Sequence, residues 1–368
     1  MSQHLVIMAA GTGGHIMPGL AVAKELQQRG WTVSWLGTAD GMENRLVPPA
    51  GIELDTVSFK GLRGKGIKHA ITGAFLMVKA FFECFRILRE RKATAVLGMG
   101  GYVCFPGGLM AKLRGLPLVL VNADAAMLLS NRALQPITDV IAFGFDGPDA
   151  KGKRARVTGN PVRAEIESIP DPQQRFIGRS GPLRVLVVGG SLGARVLNEV
   201  VPAALAQLSV QERPKVTHQT GMANFEAVKA AYTRQDMDPV REVEVVPFIN
   251  NMPQRLADCD LLVCRAGAIT VSELCAAGVP SILVPLVLST TSHQKDNAEY
   301  MAGHGAAVYL PQADLNADNL AQRLRELSRG DLMEMASRAR ALGRPRAAAA
   351  VADEIEQLVK HNVKGASA

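Results

Sequence analysis

One pattern of residue types occurs twice along this chain and limits the folds that it can adopt. Residues 5–26 read "LVIMAAGTGGHIMPGLAVAKEL", and residues 183–208 read "LRVLVVGGSLGARVLNEVVPAALAQL". Each is an apolar run, a glycine-rich turn and then apolar residues at helical spacing, which indicates a buried strand followed by a helix. Residues 94–121 and 260–287 form a second matching pair, in which strand, glycine turn, helix and strand follow one another. The chain is therefore built from two similar series.

Strands that alternate with helices predict parallel sheets with both faces covered. We therefore predict an α/β fold of two doubly wound, Rossmann-like domains, whose glycine turns lie at the carboxyl ends of the strands. We expect a ligand in a cleft between these domains. Prolines and glycines collect at 161–182, so we place the domains at 1–162 and 163–335. A helical segment, 336–368, follows and is a candidate to pack back on the first domain.

Composition narrows the class of protein. The chain has 368 residues, 48% hydrophobic and 20% charged, as expected for a globular protein of two domains. Its five cysteines lack Cys-x-x-Cys spacing, which argues against a zinc site or a disulfide framework. Residues 1–163 hold 20 Lys and Arg against 11 Asp and Glu, whereas the remainder holds 21 against 23. The basic first half suggests an anionic partner, although solubility alone explains such a charge nearly as well.

The glycine turns do not fit a dinucleotide site, which needs Gly-x-Gly-x-x-Gly and an acidic residue closing the second strand. Gly11 and Gly13 fit, but Ile16 stands at the third glycine, and the second strand ends at Leu36 and Gly37. The Gly-x-x-x-x-Gly-Lys-Ser/Thr phosphate loop is missing from the sequence as well. Two glycine turns at helix N-termini instead suit two diphosphates, one per domain. A reaction that joins two diphosphate-bearing substrates needs such a pair.

Several motifs, in order along the chain, resemble those of the MurG family of GT-B glycosyltransferases. They are "GTGGHIMPGLAVA", "WLGT", "GLRGKG", "VLGMGGYV", "GNPVR", "VVGGSLGA", "GAITVSE" and "HQKDNA". The resemblance implies inverting transfer of N-acetylglucosamine from UDP-GlcNAc to the 4-hydroxyl of undecaprenyl-diphospho-N-acetylmuramyl-pentapeptide, a lipid-linked muramyl-pentapeptide of peptidoglycan synthesis. It also implies a peripheral enzyme at the cytoplasmic face of the inner membrane, with other cell-wall synthesis proteins as further candidate partners.

For the donor, the resemblance implies a site mainly in the second domain. Ser191 would contact the diphosphate, Arg163 would add positive charge or position the donor, and the backbone of Ile249 would meet uracil. Glu273 would accept hydrogen bonds from the ribose, and Gln294 would hold the sugar hydroxyls. The residues expected along the nucleotide are Ala268, Ile269, Thr270, Val271, Ser272 and Glu273.

In the first domain, the resemblance places Thr12, Gly13 and Gly14 beside both the donor sugar and the acceptor diphosphate. The candidates for the acceptor site are Gly100, Gly101, Tyr102 and Asn131; Tyr102 is equally well interpreted as packing beneath its loop.

Inverting displacement needs a base near the attacking hydroxyl and positive potential at the leaving diphosphate. His15 is a candidate base, because its ordinary pKa is about 6.5, but it could also orient a phosphate or cap the helix. A helix N-terminus with Arg163 can supply the positive potential, so we expect neither a metal ion nor a cofactor.

The stretch "VNADAAMLLSN", residues 121–131, departs from the family pattern His-Glu-Gln-Asn. Val121, Asn122 and Ala123 replace the His, Glu and Gln, so no catalytic role of those residues transfers to this chain. Asp124 replaces the Asn and is a candidate for contact with the donor sugar, or for the base in place of His15.

Residues 67–92 combine apolar bulk with basic residues. On a helical wheel Lys68, Lys79 and Arg86 lie in one row, with Phe75 and Phe82 at its edge and Ile71 just beyond. Such a helix suits an anionic membrane surface, although its apolar arc could equally pack on a sheet.

Alternative functions remain open at this point. They are another GT-B enzyme, such as a UDP-GlcNAc 2-epimerase or a glycolipid glycosyltransferase, and a noncatalytic membrane-surface sensor. A nucleic-acid-binding protein is disfavoured, and we expect no nucleic acid as a partner, because the aromatic fraction is only 5% and no stacking ladder is visible.

Overall fold

A computed structural model of the chain describes residues 3–11, 13–58, 67–190, 192–237, 242–286 and 293–365. The side chains of residues 67–72, 74 and 363–365 also lie outside this description. The chain divides into two compact units. The first unit comprises Met1–Val162 and Arg346–Ala368, and the second comprises Arg163–Pro345.

The first unit contains a sheet of seven parallel strands. The strands are β1 (His4–Ala9), β2 (Thr32–Thr38), β3 (Glu53–Val57), β4 (Ala95–Gly100), β5 (Leu118–Asn122), β6 (Val140–Phe143) and β7 (Ala155–Val157). The helices are α1 (Gly13–Gln28), α2 (Glu43–Leu46), α3 (Ile67–Glu90), α4 (Cys104–Leu113) and α5 (Leu129–Leu134).

The strand order is β3-β2-β1-β4-β5-β6-β7, so the connections reverse direction between β1 and β4. Alternate residues of β1 enter two different cores, because side chains along a strand point to opposite faces. Leu5 and Ile7 pack with Ile16 of α1, whereas Val6 and Met8 pack in the core that Leu88 of α3 joins. Both faces of the sheet are covered by helices, as predicted for a doubly wound domain.

The second unit contains six parallel strands in the order β10-β9-β8-β11-β12-β13. The strands are β8 (Arg184–Val188), β9 (Lys215–Gln219), β10 (Val243–Val246), β11 (Leu261–Cys264), β12 (Ser281–Leu283) and β13 (Val308–Tyr309). The helices, in chain order, are α6 (Ala164–Glu167), α7 (Pro172–Phe176), α8 (Arg195–Ala206), α9 (Phe225–Arg234), α10 (Met252–Asp258), α11 (Ala268–Ala277), α12 (His293–Gly303), α13 (Ala317–Glu326) and α14 (Arg329–Leu342). The order of the sheet again reverses once, between β8 and β11. The two predicted series are thus two sheets of similar topology.

The C-terminal helical segment consists of two helices that belong to different units. Helix α14 lies in the second unit, and α15 (Ala347–Gly365) lies in the first. Arg29 at the end of α1 donates to Asp353 of α15 at 2.6 Å, and the indole of Trp31 donates to Glu356 at 3.2 Å. Burial of Ile355 among the core residues of α1 adds apolar contact. The end of the described chain is therefore part of the first unit.

Candidate active site

The first glycine turn lies at the point where the order of its sheet reverses. Strand β1 leads through Gly11, whose φ is +100°, into α1, which begins at Gly13 and so contains Gly14 and His15 in its first turn. The first turn of α1 carries no acidic residue, and the positive end of the helix dipole is available to an anion there. Thr12 lies outside the described residues.

The second turn of this unit, after β4, packs directly against the first. Gly100 has a φ of +126°, and a Cβ on it would lie 2.5 Å from Nδ1 of His15. A Cβ on Gly101, whose φ is +90°, would lie 2.5 Å from the carbonyl oxygen of Ala10. Only glycine fits either place, because any side chain would meet a ring or a backbone. The structure thus brings His15, Gly100 and Gly101 together, and the exposed Tyr102 comes directly after them.

The altered stretch at the end of β5 is organised by one buried amide. Nδ2 of Asn122 donates to the carbonyls of Asp124 at 2.8 Å and Ala126 at 3.1 Å. Its Oδ1 accepts from the N–H of Leu128 at 2.9 Å and from Nδ2 of Asn131 at 3.1 Å. An asparagine amide has two donor hydrogens and one acceptor oxygen with two lone pairs, so its capacity is filled. The loop that carries Asp124 is therefore folded around Asn122.

Asn131 itself is fully buried, and its Nδ2 also donates to the carbonyl of Val121 at 3.0 Å. These hydrogen bonds hold the loop in place. Contact of the Asn131 side chain with the acceptor substrate stays a prediction.

In the second unit, the glycine turn after β8 is packed against the end of β9. A Cβ on Gly193, whose φ is +77°, would overlap the carbonyl oxygen of Thr220. Nε2 of Gln219 donates to the carbonyl of Gly190 at 2.9 Å. Asn198 on α8 donates to the carbonyl of Thr220 at 3.1 Å, which ties the helix after the turn to the same segment. Ser191 lies outside the described residues.

Arg163 and Glu273 form an ion pair within the second unit. Nε and Nη2 of Arg163 both donate to Oε1 of Glu273, at 3.1 and 2.9 Å. Burial raises the pKa of Glu273 above its usual value, and the charge and hydrogen bonds of Arg163 offset only part of that shift. Both donors use one oxygen, so Arg163 orients the carboxyl group through Oε1.

Helix α11 carries the six consecutive residues that were expected along the nucleotide. Consecutive residues of a helix face different directions, so six in a row cannot all offer side chains to one ligand. Val271 is fully buried, and the hydroxyl of Ser272 donates back to the carbonyl of Ala268 at 2.9 Å. The partly exposed residues of the six are Ala268, Ile269, Thr270 and Glu273.

Two further residues that were expected to bind the donor substrate, UDP-GlcNAc, lie in a loop and at a helix end of this unit. The side chain of Ile249 is buried, and contact of its backbone with uracil stays a prediction. Gln294, in the first turn of α12, accepts the N–H of Leu286 on its Oε1 at 2.9 Å. This bond fixes the orientation of the glutamine amide.

Helix α3 exposes large apolar side chains. Phe75 and Phe82 are 70% and 73% exposed, although both are aromatic residues that usually avoid water. Lys79 and Arg86 lie on the same helix and form i,i+4 ion pairs with Glu83 and Glu90. Lys68 and Ile71 belong to α3, but their side chains lie outside the described residues. No helix in the described part of the chain is long and apolar enough to cross a membrane.

Two Asp-x-Asp sequences occur in the chain, at 236–238 and 258–260. The carboxyl group of Asp260 is buried and pairs with Arg179 at 2.6 Å and Arg329 at 3.3 Å. Residue 238 lies outside the description. Over the described ranges, no three His, Cys, Asp or Glu side chains are grouped so that they could hold a metal ion. The expected independence from metal stays a prediction.

Comparisons with known proteins match nearly the whole chain. The glycosyltransferase family 28 N-terminal domain matches residues 5–142, and the family 28 C-terminal domain matches residues 184–358. The UDP-N-acetylglucosamine--N-acetylmuramyl-(pentapeptide) pyrophosphoryl-undecaprenol N-acetylglucosamine transferase of Methylibium petroleiphilum is 67% identical over 97% of this chain and 98% of its own length. The protein of the same name from Chromobacterium violaceum is 61% identical, over 97% of this chain and 99% of its own.

A solved structure agrees with these relatives. Acinetobacter baumannii MurG is 38% identical to this chain, covers 96% of it with 99% of its own length, and superposes with a TM-score of 0.84. The chain belongs to the MurG family. The resemblance of the motifs, the α/β GT-B fold and the class of UDP-sugar glycosyltransferase are thereby confirmed. Membership of the MurG family favours the transferase over the epimerase, the sensor and the nucleic-acid-binding protein.

Some residues that shape this MurG-family site were not identified from the sequence. Asn122 stood out only as a departure from the family, and Gln219 did not stand out at all. Glu43 is fully buried at the start of α2 and accepts the N–H of Gly11 at 3.1 Å. The available signal was the pair Gly37 and Gly41 shortly before Glu43 in the sequence, because glycines leave room for a neighbouring side chain.

Residues of another element also lie at the exposed surface of α3, which the helical wheel did not show. The guanidinium of Arg114, just after α4, lies 5.3 Å from the ring centroid of Phe85, and the neighbouring Leu113 is exposed. Residues far from α3 in the sequence thus join its surface, which a wheel drawn for one helix cannot show.

Proposed function

We propose that this chain transfers N-acetylglucosamine from UDP-GlcNAc to the 4-hydroxyl of the muramyl sugar of undecaprenyl-diphospho-N-acetylmuramyl-pentapeptide. The product would be the lipid-linked disaccharide precursor of peptidoglycan. The proposal is carried by 67% identity, over nearly the full length of both chains, to a relative named for this reaction. Two glycine turns, each at a point where a parallel sheet reverses its order, support it independently.

The second unit is proposed to bind the donor. Amide groups of the turn at 189–193, together with Ser191, would bind the diphosphate. Glu273 would accept hydrogen bonds from the ribose, and Gln294 would hold the sugar. Arg163 lies beside Glu273 in the structure, so its first role here is to orient that carboxyl group. The positive charge of Arg163 would also stabilise a bound diphosphate.

The first unit is proposed to bind the acceptor and to supply the base. The acceptor hydroxyl forms a bond to the anomeric carbon, the bond from that carbon to the diphosphate breaks, and UDP leaves. The proton of the hydroxyl passes to the base, for which His15 and Asp124 are the candidates. His15 lies between the two glycine turns of this unit, whereas Asp124 is carried by the loop around Asn122. We favour His15 because it stands at the reversal of the sheet.

Transfer of labelled N-acetylglucosamine from UDP-GlcNAc to lipid-linked muramyl-pentapeptide, with a chelator present, tests the reaction. We expect product from the wild-type protein, and we expect the chelator to leave the rate unchanged, because protein groups supply the positive potential. Intact binding of UDP-GlcNAc without any product would contradict the proposed acceptor. A rate that is abolished by the chelator and restored by Mg²⁺ would contradict the metal-independent mechanism.

We place the protein at the cytoplasmic face of the inner membrane, as a peripheral protein. The support is the exposed face of α3 in the unit that also has the basic composition. Lys79 and Arg86 are paired with glutamates, so the apolar side chains, rather than these two charges, are expected to supply most of the affinity.

Replacing Phe75 and Phe82 together by serine should weaken binding to vesicles that contain anionic phospholipid by roughly 100-fold or more, because each ring loses about 1.5–3 kcal/mol of apolar transfer. Sedimentation with vesicles measures this effect. Ile177→Ser is the matched control, since Ile177 is an equally exposed apolar residue of the second unit. Unchanged sedimentation of the double variant would contradict the proposal that α3 binds the membrane.

A further inference from the structure

Glu43 is a buried acidic residue that the proposed reaction does not use. Its side chain is fully buried, and its carboxyl group accepts three hydrogen bonds. Oε2 accepts the backbone N–H of Gly11 at 3.1 Å. Oε1 accepts the backbone N–H of Thr38 at 2.8 Å and the hydroxyl of Thr38 at 2.7 Å. Burial of a carboxylate is costly, and these three donors offset that cost.

The surroundings of Glu43 are built to leave room for this carboxyl group. A Cβ on Gly37 would lie 2.7 Å from Cγ of Glu43, and a Cβ on Gly41 would overlap the carboxyl group itself. Nδ2 of Asn44 donates to the carbonyls of Thr38 at 2.8 Å and Gly41 at 3.0 Å, which closes the turn from β2 into α2. The residues from 37 to 44 therefore form a small rigid cradle around one side chain.

This cradle holds one side of the first glycine turn. Gly11 is the turn residue between β1 and α1, and its N–H is used by Glu43, so it is not a donor for a ligand in this structure. On the other side, the N–H of Ala10 donates to the carbonyl of Gly100 at 3.3 Å, and Gly101 packs on Ala10. The turn is thus fixed between the end of β2 and the end of β4. Helix α1, whose first turn carries His15, begins two residues after Gly11.

We propose that Glu43 is a positioning residue for the transfer reaction, which holds Gly11 so that the start of α1 and His15 keep their place against Gly100. This inference rests on the proposed function for its effect on catalysis. A carboxylate suits the place better than an amide, because both of its oxygens accept. A glutamine would turn its NH₂ group toward the N–H of Gly11 or toward the donors of Thr38, and one of them would lose its acceptor.

The test compares Glu43→Gln with Thr38→Val, Thr38→Ser and the control Glu53→Gln, in which an exposed carboxyl group of the same unit is replaced. For Glu43→Gln we expect kcat to fall roughly 10- to 100-fold, as for loss of one hydrogen bond to a charged group, with UDP affinity unchanged. Thr38→Val should lose roughly 3- to 10-fold, and Thr38→Ser, which keeps the hydroxyl, should behave as wild type.

Amide hydrogen exchange provides a readout that does not depend on activity. The Gly11 amide should exchange roughly tenfold faster or more in Glu43→Gln than in the wild type, and Glu53→Gln should not change it. Wild-type kcat and wild-type exchange in Glu43→Gln would overturn the proposal. If Glu43→Gln also loses UDP binding through misfolding, the test rests on Thr38→Val. Wild-type kcat and wild-type exchange of the Gly11 amide in Thr38→Val would then overturn the proposal. A wild-type protein without transfer activity would contradict the proposed function instead, while the exchange result still tests Glu43.

Discussion

Replacing His15 by alanine is expected to lower kcat by roughly 100- to 10,000-fold, the usual contribution of a general base, while the affinity for UDP stays the same. The ring packs on the backbone of Gly100, with Nδ1 buried, so Nε2 is the nitrogen we assign as proton acceptor. Steady-state transfer kinetics measure kcat, and titration with UDP measures affinity.

His15→Gln separates a base from a group that only orients phosphate. The glutamine amide can donate or accept a hydrogen bond near the position of Nε2, but it cannot take a proton at neutral pH. We expect this variant to be as impaired as His15→Ala. If it keeps most of the activity, His15 orients a phosphate, and a large loss in Asp124→Ala run in parallel would then make Asp124 the base.

The second large effect concerns UDP binding at Glu273. Its pKa is raised by burial, so on acidification it becomes protonated at a higher pH than an ordinary glutamic acid. If the ionised carboxylate accepts the ribose hydroxyls, UDP binding is full above this pKa and weakens as pH falls through it. Glu273→Gln should bind UDP roughly 10- to 100-fold more weakly at pH 8, and its affinity should not vary over the same range. Calorimetric titration at a series of pH values measures both.

The variant Arg163→Gln tests whether the charge of Arg163 shifts the pKa of Glu273. Arg163 lowers the pKa of Glu273, so its removal should move the loss of UDP affinity to higher pH. Glu199→Gln, an exposed carboxyl group that pairs with Arg195 on α8, is the control and should leave the pH dependence unchanged. A pH dependence that survives in Glu273→Gln would show that another group titrates.

Glu273 and Glu43 differ in whether their roles could be predicted from the sequence. Glu273 belongs to a motif that resembles its family, so the motif itself pointed to the residue. Glu43 follows Gly37 and Gly41 in a stretch without a chemical motif, and its role depends on Gly11, 32 residues away. The sequence showed only that Asn122 differs from the family pattern. Its role in holding the loop became clear from its four hydrogen bonds in the folded structure.

The two series of strands and helices, the positions of the glycine turns and the family could all be predicted from the amino-acid sequence. These depend on the local order of apolar, glycine and polar residues, which is written along the chain. The contacts of His15 with Gly100 and of Arg163 with Glu273 became visible only in the tertiary structure. It also divided the C-terminal helices between the two units. The reason is physical: each of these features is a contact between segments far apart in sequence, and its energy exists only once the sheet has brought them together.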